Sequence, residues 1–255
     1  MKEGIKTKVV AIINQKGGVG KSTTALALGA GLSLKGFKIL FIDLDAQGNL
    51  THTLGASKDG ITSVDILTRE AGASEAIFKG EHWDYIIGSP TLAGADMILT
   101  QTGKEFRLKE ALGPVRENYD YIIIDTPPAL GILTVNALAA CTGIIIPAQA
   151  DIYSLQGIGH LYGTIKTVKQ YCNPELRIMG ILLTRYNPRS ILSRDISEMI
   201  EQTAAQLETK VYKTSIREAI AIKEAQARQQ DIYSYAPKGK ATADYKAFVK
   251  EVLEQ

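Results

Sequence analysis

A chain of 255 residues, 45% hydrophobic and 22% charged, can bury a full core and needs no more than one domain. Two cysteines, Cys141 and Cys172, are too few for a disulfide framework, no Cys/His pattern indicates a structural metal, and a reducing cytoplasm is the expected compartment. No apolar stretch approaches the ~20 residues of a transmembrane helix, and a net charge of +2 neither implies nor excludes a nucleic-acid partner.

Short β-branched runs alternate with longer helical patterns along the chain, which predicts a parallel sheet built from strand-helix-strand units. The predicted strands are residues 8–14, 38–45, 84–88, 120–126, 143–149 and 177–184. The predicted helices are residues 22–35, 103–117, 132–141, 155–171, 191–207 and 241–254. Several strands are apolar at consecutive positions, as expected for strands covered on both faces. We therefore expect one α/β domain over residues 1–255, with a mostly parallel central sheet and helices on both faces.

The first predicted strand runs into a glycine-rich loop, NQKGGVGKSTT, at residues 14–24. A strand, a glycine loop and a helix opening at Ser22 gather backbone N–H groups around one point, which favours phosphate binding. The loop departs from the pattern G-x-x-x-x-G-K-[ST], because Gln15 stands where the first glycine is expected. Lys21 is expected to neutralise β- and γ-phosphate oxygens, and the hydroxyl of Ser22 to coordinate Mg2+. A mere tight turn is the alternative, which the Lys-Ser pair after three glycines disfavours.

Acidic residues end two later strands. Asp43 and Asp45 close the strand at 38–45, and Asp125 closes the strand at 120–126. One such carboxylate alone would be interpreted as a turn or helix cap. Three of them beside a phosphate loop predict a metal and water site at the carboxyl edge of the sheet, where α/β folds bind their ligands.

Three motifs carry a resemblance to a known family. KGGVGKST, DLDAQGN and DTPPALG, in this order and at these spacings, resemble the nucleotide motifs of the ParA-type partition ATPases of the deviant Walker A (ParA/MinD) superfamily. The segments LAGADMIL, TVNALAA and IIIPAQADIYSLQGI are similar to the same family, so the resemblance covers nearly the whole chain. It implies the P-loop NTPase fold, Mg2+-dependent hydrolysis of ATP to ADP and phosphate, and a homodimer that forms on ATP binding.

The resemblance also implies roles for single residues. Lys16 resembles the family's signature lysine, which reaches the phosphates held by the other subunit of an ATP-bound dimer. Asp45 would position the hydrolytic water, Asp43 and Asp125 would support the Mg2+ shell, and Lys16 and Lys21 complete the catalytic set. The nucleotide-binding residues are Lys16, Gly17, Gly18, Val19, Gly20, Lys21, Ser22 and Thr23.

Two positions depart from the family pattern. Ala46 stands where the family usually has proline, which predicts a looser first switch loop. Glu224, Ala225 and Gln226 stand where a nucleotide-contacting loop often reads Glu-Ala-Pro, so no adenine contact is assigned there.

Basic residues of the C-terminal half suggest a DNA partner. The stretches 177–194 and 210–217 contain arginines and lysines but no acid. Solvated surface charge is the ordinary interpretation of such runs. The resemblance instead implies non-specific binding of nucleoid DNA, and Arg189, Arg217 and Lys223 are the predicted contacts. The C-terminal sequence DYKAFVKEVLEQ mixes acids with lysines, unlike the basic membrane helix of the MinD branch, and we expect no membrane binding and no N-terminal helix-turn-helix domain.

The function predicted from this resemblance is partition of a plasmid or chromosome in the cytoplasm, on the nucleoid, with stimulation by a ParB-like centromere-binding protein. The nearest alternative is a ParA-like ATPase that positions a protein cargo. A MinD-like protein is a weaker alternative. An iron-sulfur reductase of the nitrogenase iron-protein type needs a cysteine that DTPPALG lacks. A metabolic ATP-dependent ligase would not need Lys16 and would need a substrate pocket.

Overall fold

The computed structural model describes residues 6–57 and 59–255, and its centre is a parallel sheet of six strands. The strands are β1 Lys8–Ile12, β2 Ile39–Asp43, β3 Asp84–Ile86, β4 Tyr121–Asp125, β5 Gly143–Ala148 and β6 Arg177–Leu183. Their order across the sheet is β3-β2-β4-β1-β5-β6. Every predicted strand is present, and each ends one or two residues before its predicted end.

Helices cover both faces of this sheet. They are α1 Lys21–Ser33, α2 Asn49–Thr53, α3 Ser63–Thr68, α4 Ala73–Ala76, α5 Ala95–Ile98, α6 Arg107–Leu112, α7 Ile132–Ala140, α8 Ile152–Tyr171, α9 Ile191–Gln206, α10 Ile220–Ala227, α11 Ile232–Tyr235 and α12 Lys240–Leu253. Within residues 6–57 and 59–255, no helix is both long enough and apolar enough to cross a membrane.

The core consists of two apolar layers separated by the sheet. Side chains of β1 alternate between them, with Val9 and Ala11 in one layer and Val10 and Ile12 in the other. Helices α3 and α6 to α9 contribute to the first layer, and α1 and α10 to α12 contribute to the second. Because both faces are buried, the strands are apolar at consecutive positions. The predicted fold class is confirmed.

One predicted helix is wrong in extent. Residues 103–117 form only the short helix α6, flanked by 3-10 turns at Lys104–Phe106 and Arg116–Asn118. Pro114 explains the early end, because proline has no N–H to donate to a carbonyl of the preceding turn. The short helices α2 to α5, α10 and α11 were not predicted. Helices of this length are stabilised by packing more than by their own sequence, so periodicity does not reveal them.

The strand register brings three chain segments to one edge of the sheet. Asp125 at the end of β4 pairs with Ile12 of β1 on one side and with Asp43 of β2 on the other. The segments that follow β1, β2 and β4 therefore leave the sheet at the same level, and the predicted site residues at these strand ends become neighbours.

Candidate nucleotide-binding site

The loop between β1 and α1 is tied to the neighbouring strands. Asn14 donates a side-chain hydrogen bond to the carbonyl of Pro147 (2.7 Å) and accepts one from the N–H of Lys16 (2.9 Å). The hydroxyl of Thr184 donates to the carbonyl of Val19 (2.8 Å). These bonds hold the loop from the ends of β5 and β6, so its shape is set before any ligand binds.

Glycine is required at two positions of this loop. Gly18 and Gly20 have φ angles of +74° and +87°, a conformation that side chains other than glycine rarely adopt. Gly20 is the N-cap of α1, so the first N–H groups of the helix face outward from this turn. A Cβ at Gly17 or Gly18 would meet no atom of the described residues within 4 Å. The outer side of the loop is therefore open to a phosphate.

A cavity of about 500 Å³ opens beside the loop. The predicted residues that line it are Gly17, Gly18, Gly20, Lys21, Ser22, Thr23 and Asp45. The other lining residues are Gln47, Asn49, His52, Thr53, Pro128, Arg185, Gln226 and Ala227. The cavity thus joins the phosphate loop to α2, α10 and the segment that follows β6.

Asp125 lies fully buried at this site, and neither of its carboxylate oxygens has a partner at full hydrogen-bond geometry among the described residues, although the Ser22 hydroxyl lies near enough to lower its pKa. Burial, followed by the nearby charge of Asp43, raises the pKa of the Asp125 carboxyl well above its usual value. Burial lowers the pKa of Lys21, while the carboxylates of Asp125 and Asp45 act in the opposite direction. A buried carboxylate with free lone pairs is suited to a cation, and Mg2+ prefers oxygen ligands.

Asp43 and Asp45 face different surroundings. The Oδ1 atom of Asp43 accepts the N–H of Asp45 (3.0 Å), and its Oδ2 atom accepts the N–H (2.9 Å) and hydroxyl (2.7 Å) of Thr51. Burial is the main reason that the pKa of Asp43 is raised. Asp45 instead lines the cavity, and its Oδ1 atom accepts the N–H of Gln47 (3.0 Å). Asp43 is thus bonded to its own chain, while Asp45 faces the ligand space.

The two lysines of the loop also point in different directions. Lys21 faces the cavity, and its Nζ atom donates to the carbonyl of Lys16 (3.2 Å). The Nζ atom of Lys16 forms an ion pair with Asp151 (2.5 Å) and contacts Oε1 of Gln149 (3.4 Å). Asp151 is also the N-cap of α8, where it accepts the N–H of Ser154. Lys16 therefore lies against the loop between β5 and α8 of its own subunit.

The three predicted DNA contacts differ in their surroundings. Arg217 forms a two-point ion pair with Asp244, at 2.7 and 2.8 Å. Lys223 lies 3.7 Å from Glu218. Among the described residues, none of the ion pairs includes Arg189. The structure brings Arg217 and Lys223 to one recess, of which Arg189 is not a lining residue.

Gln226 shows what the sequence interpretation missed. Its side-chain amide donates to the hydroxyl of Thr23 (2.8 Å), which connects α10 to the phosphate loop. The triplet Glu224, Ala225 and Gln226 was the available signal, but no contact was assigned to it. His52 has no sequence signal, because α2 shows no periodic pattern. Arg185 belongs to the basic stretch 177–194, but nothing in the sequence indicates that it lines the cavity.

A glycine loop joins the first strand to a helix that begins with Lys-Ser, and carboxylates lie beside it at the ends of neighbouring strands. These features define a P-loop nucleotide-binding protein. Residues 7–178 match the family described as an AAA domain. The chain is 41% identical to the sporulation initiation inhibitor protein Soj of Bacillus subtilis, over 96% of this chain and 98% of Soj. It is 36% identical to the chromosome partitioning protein ParA of Myxococcus xanthus, over 97% and 88%. The chain belongs to the ParA-type partition ATPases, which confirms the resemblance.

Solved structures agree with the P-loop fold. Cobyrinic acid a,c-diamide synthase from Mycobacterium smegmatis, with a bound ATP analogue and magnesium, has a TM-score of 0.84 and 33% identity over 97% of this chain and 95% of that chain. A variant of McdA from Cyanothece, in complex with ATP, has a TM-score of 0.88 and 26% identity, covering 98% of both chains. The fold of this protein is therefore one that carries nucleotide in its relatives.

Proposed function

We propose that this protein is a Mg2+-dependent ATPase that dimerises on binding ATP and, as a dimer, binds DNA without sequence preference to partition a plasmid or chromosome. A ParB-like centromere-binding protein would stimulate it, on the nucleoid in the cytoplasm. The observation that carries the enzymatic part is Asp125, a buried carboxylate with two free oxygens beside Lys21 and Asp45. Similarity to Soj and ParA over nearly the whole chain supports the role in partition.

The residues of the site fit ATP and Mg2+. Lys21 and the N–H groups of residues 17–23 would bind the phosphates. The hydroxyl of Ser22 and the carboxylate of Asp125 would hold Mg2+, with Asp43 supporting its water shell. Bound Mg2+ supplies charge neutralisation at the phosphates. Asp45, which lines the cavity, would orient the attacking water.

Lys16 connects the ATPase to dimerisation. Its ammonium faces Asp151 and does not line the cavity of its own subunit, whereas Lys21 does. A lysine at the rim of the loop is placed to neutralise phosphate charge in a second subunit, as an arginine finger does in other phosphate-loop enzymes. We therefore infer that the complete site contains Lys16 from the partner subunit.

Positioning of a protein cargo is the second candidate function. It is favoured by the ion pair of Arg217 with Asp244, because Asp244 compensates the charge of one of the three predicted DNA contacts. A metabolic synthase is less favoured, because the similarity to Soj and ParA extends over nearly the whole chain.

Two variants test the proposed ATPase. Lys21→Ala should abolish ATP binding in calorimetry, because the phosphates lose their main fixed cation. Asp45→Ala should bind ATP with the affinity of the wild type but not hydrolyse it, since water positioning affects the reaction and not ground-state binding. Dimers should then persist in light scattering. A Lys21→Ala protein that binds ATP as tightly as the wild type would refute the phosphate site, and normal hydrolysis by Asp45→Ala would move the water-positioning role to another carboxylate.

A further inference from the structure

Thr51 ties together the two ends of the segment that carries Asp45. It lies in α2, is only 3% exposed, and donates both its N–H (2.9 Å) and its hydroxyl (2.7 Å) to Oδ2 of Asp43. At the other end of the segment, the N–H of Asp45 donates to Oδ1 of the same carboxylate (3.0 Å). The carboxylate of Asp43 therefore holds both ends of segment 43–51 in place through hydrogen bonds.

The Thr51 hydroxyl has a second partner outside this segment. It accepts a hydrogen bond from the N–H of Gly88 (3.0 Å), in the chain that follows β3. Gly88 packs closely here, because a Cβ at this position would lie 3.1 Å from Cγ of Asp43 and 3.1 Å from the carbonyl oxygen of Asp45. The hydroxyl thus donates once and accepts once at a buried point where β2, α2 and the chain after β3 meet.

We infer that Thr51 is a positioning residue for ATP hydrolysis, which holds Asp45 at the cavity through the carboxylate of Asp43. The inference rests on the proposed function, in which Asp45 orients the attacking water. Thr51 itself does not line the cavity, whereas its neighbours Asn49, His52 and Thr53 do. Its effect on the reaction is therefore indirect and passes through two named hydrogen bonds.

The magnitude of the effect follows from the geometry of catalysis. A displacement of about 1 Å in a group that orients a reactant can lower the rate on the order of 100-fold. Loss of the Thr51 hydroxyl would leave the N–H of Gly88 without its partner and remove one of three bonds to Asp43. The segment would keep its backbone bond from Thr51 to Asp43, so we expect it to loosen without unfolding.

Substitution of Thr51 separates positioning from fold stability. Thr51→Val keeps the shape of the side chain and removes both hydroxyl bonds, while Thr51→Ser keeps the hydroxyl. Thr242→Val is the matched control, because Thr242 is also a buried threonine whose hydroxyl bonds to backbone carbonyls, of Ile232 and Ala236, away from the cavity. Thr51→Val and Thr242→Val should lower Tm by similar amounts, since each removes buried hydroxyl bonds.

The expected result is a division between kcat and affinity. Thr51→Val should bind ATP within about 2-fold of the wild type in calorimetry and lose about 10-fold or more in kcat. Thr51→Ser should restore kcat, and Thr242→Val should keep it. In the nucleotide-free protein, hydrogen exchange of the amides in segment 43–51 should become faster in Thr51→Val and not in Thr242→Val.

Other outcomes overturn the inference. A Thr51→Val protein with the kcat of the wild type, or with unchanged exchange in segment 43–51, shows that Thr51 does not hold Asp45. An equal loss of ATP affinity and kcat in Thr51→Val and Thr51→Ser assigns Thr51 to structure alone. A wild-type protein without ATPase activity refutes the proposed function. An active wild type whose Thr51→Val variant is equally active refutes only the role of Thr51.

Discussion

Asp125 combines complete burial with two oxygens that lack partners among the described residues. An ionised carboxylate in such a place is costly unless a cation compensates its charge, and Lys21 is the cation beside it. The buried charge of Asp125 therefore makes the nucleotide-free fold less stable. The same charge favours the binding of a cation at this site. Stability and ligand binding are linked through this one residue.

The stability of the nucleotide-free protein should report the charge of Asp125. The pKa of the Asp125 carboxyl is higher in the folded protein than in the unfolded chain, where it is about 3.9. The carboxyl therefore contributes fully to the free energy of unfolding below the unfolded pKa. This contribution is lost as the pH rises through the folded pKa. Asp125→Asn removes this loss. We expect its Tm to exceed that of the wild type at pH 8 by about 2–4 °C for each kcal/mol regained, and by less at pH 5.

Differential scanning calorimetry at both pH values measures this difference. The control is Asp195→Asn in the exposed part of α9, which should change Tm equally at pH 5 and pH 8. A Tm difference for Asp125→Asn that does not grow with pH would contradict the assignment of a buried, proton-binding carboxyl. Magnesium should also cease to strengthen ATP binding in the variant, since one ligand is lost.

The ion pair between Lys16 and Asp151 holds the proposed trans-acting lysine within its own subunit. Partial burial raises the pKa of the Asp151 carboxyl, but the hydrogen bonds from Lys16 and from the N–H of Ser154 outweigh it, so its pKa is lowered. Formation of the proposed dimer requires Lys16 to leave this partner. The ion pair therefore opposes dimerisation in each of the two subunits.

Asp151→Asn should strengthen dimerisation. Asparagine still caps α8 but no longer offers a charge to Lys16. A partly exposed ion pair contributes up to ~1 kcal/mol, which corresponds to about 2- to 5-fold in the dimer dissociation constant for each subunit. Sedimentation of the variant in the Asp45→Ala background with ATP measures the constant. Glu110→Gln, which breaks the ion pair with Arg69, is the control and should change nothing. Weaker dimerisation of Asp151→Asn would show that Asp151 also orients Lys16 in the dimer.

Helix α1 approaches strand β2 very closely at one point. It packs on β2 through Gly29, where a Cβ would lie 2.2 Å from Cζ of Phe41 and 3.2 Å from Cγ2 of Ile39. Phe41 is fully buried and packs edge-on against Trp83, so it has no room to move away. The N-terminus of the same helix forms the far side of the phosphate loop.

Gly29→Ala should therefore destabilise the protein by about 1–3 kcal/mol, the usual result of overpacking a core. The matched substitution is Gly159→Ala in α8, where a Cβ would meet no atom of residues 6–57 and 59–255 within 4 Å. At this position the higher helix propensity of alanine should raise the free energy of unfolding by up to about 1 kcal/mol. Urea unfolding of both variants measures the two free energies of unfolding. Equal effects of the two substitutions would show that Phe41 can yield.

Two subunits joined by ATP would present their basic residues on one surface, with twice the phosphate contacts of a single subunit. Affinity for DNA should then rise steeply, because each contact releases counterions from the duplex. Binding should require ATP, be similar for unrelated sequences, and weaken strongly with salt. Fluorescence anisotropy with the Asp45→Ala variant tests this, and ATP-bound dimers that ignore DNA at low salt would favour the positioning of another cargo.

The arginines predicted to contact DNA should contribute unequally. Arg189→Ala should weaken binding to all sequences and reduce the salt slope by about 1, as expected for one phosphate contact. Arg217→Ala should have a smaller effect, because Asp244 already compensates the charge of Arg217. Anisotropy at several salt concentrations compares the two variants. An equal or larger loss in Arg217→Ala would show that DNA displaces Asp244.

The sheet, its two helical layers and the phosphate loop were predictable, because strand and helix periodicity and a contiguous loop motif are local properties of the chain. The six predicted strands and the family membership are confirmed. The positions of the carboxylates followed as well, since parallel strands end at a common edge. No periodic pattern predicts α2 and α10, which are short and take their shape from packing.

The partners of single side chains were beyond prediction for the same reason. Thr51 bonds to Gly88 at a separation of 37 residues, and Lys16 to Asp151 at a separation of 135. Arg217, predicted from its charge to contact DNA, has a carboxylate partner 27 residues away. Periodicity reports which face of an element is buried, but it does not report which distant polar group meets another. That choice depends on the packing of the whole chain, because a buried polar group must find its partner in three dimensions.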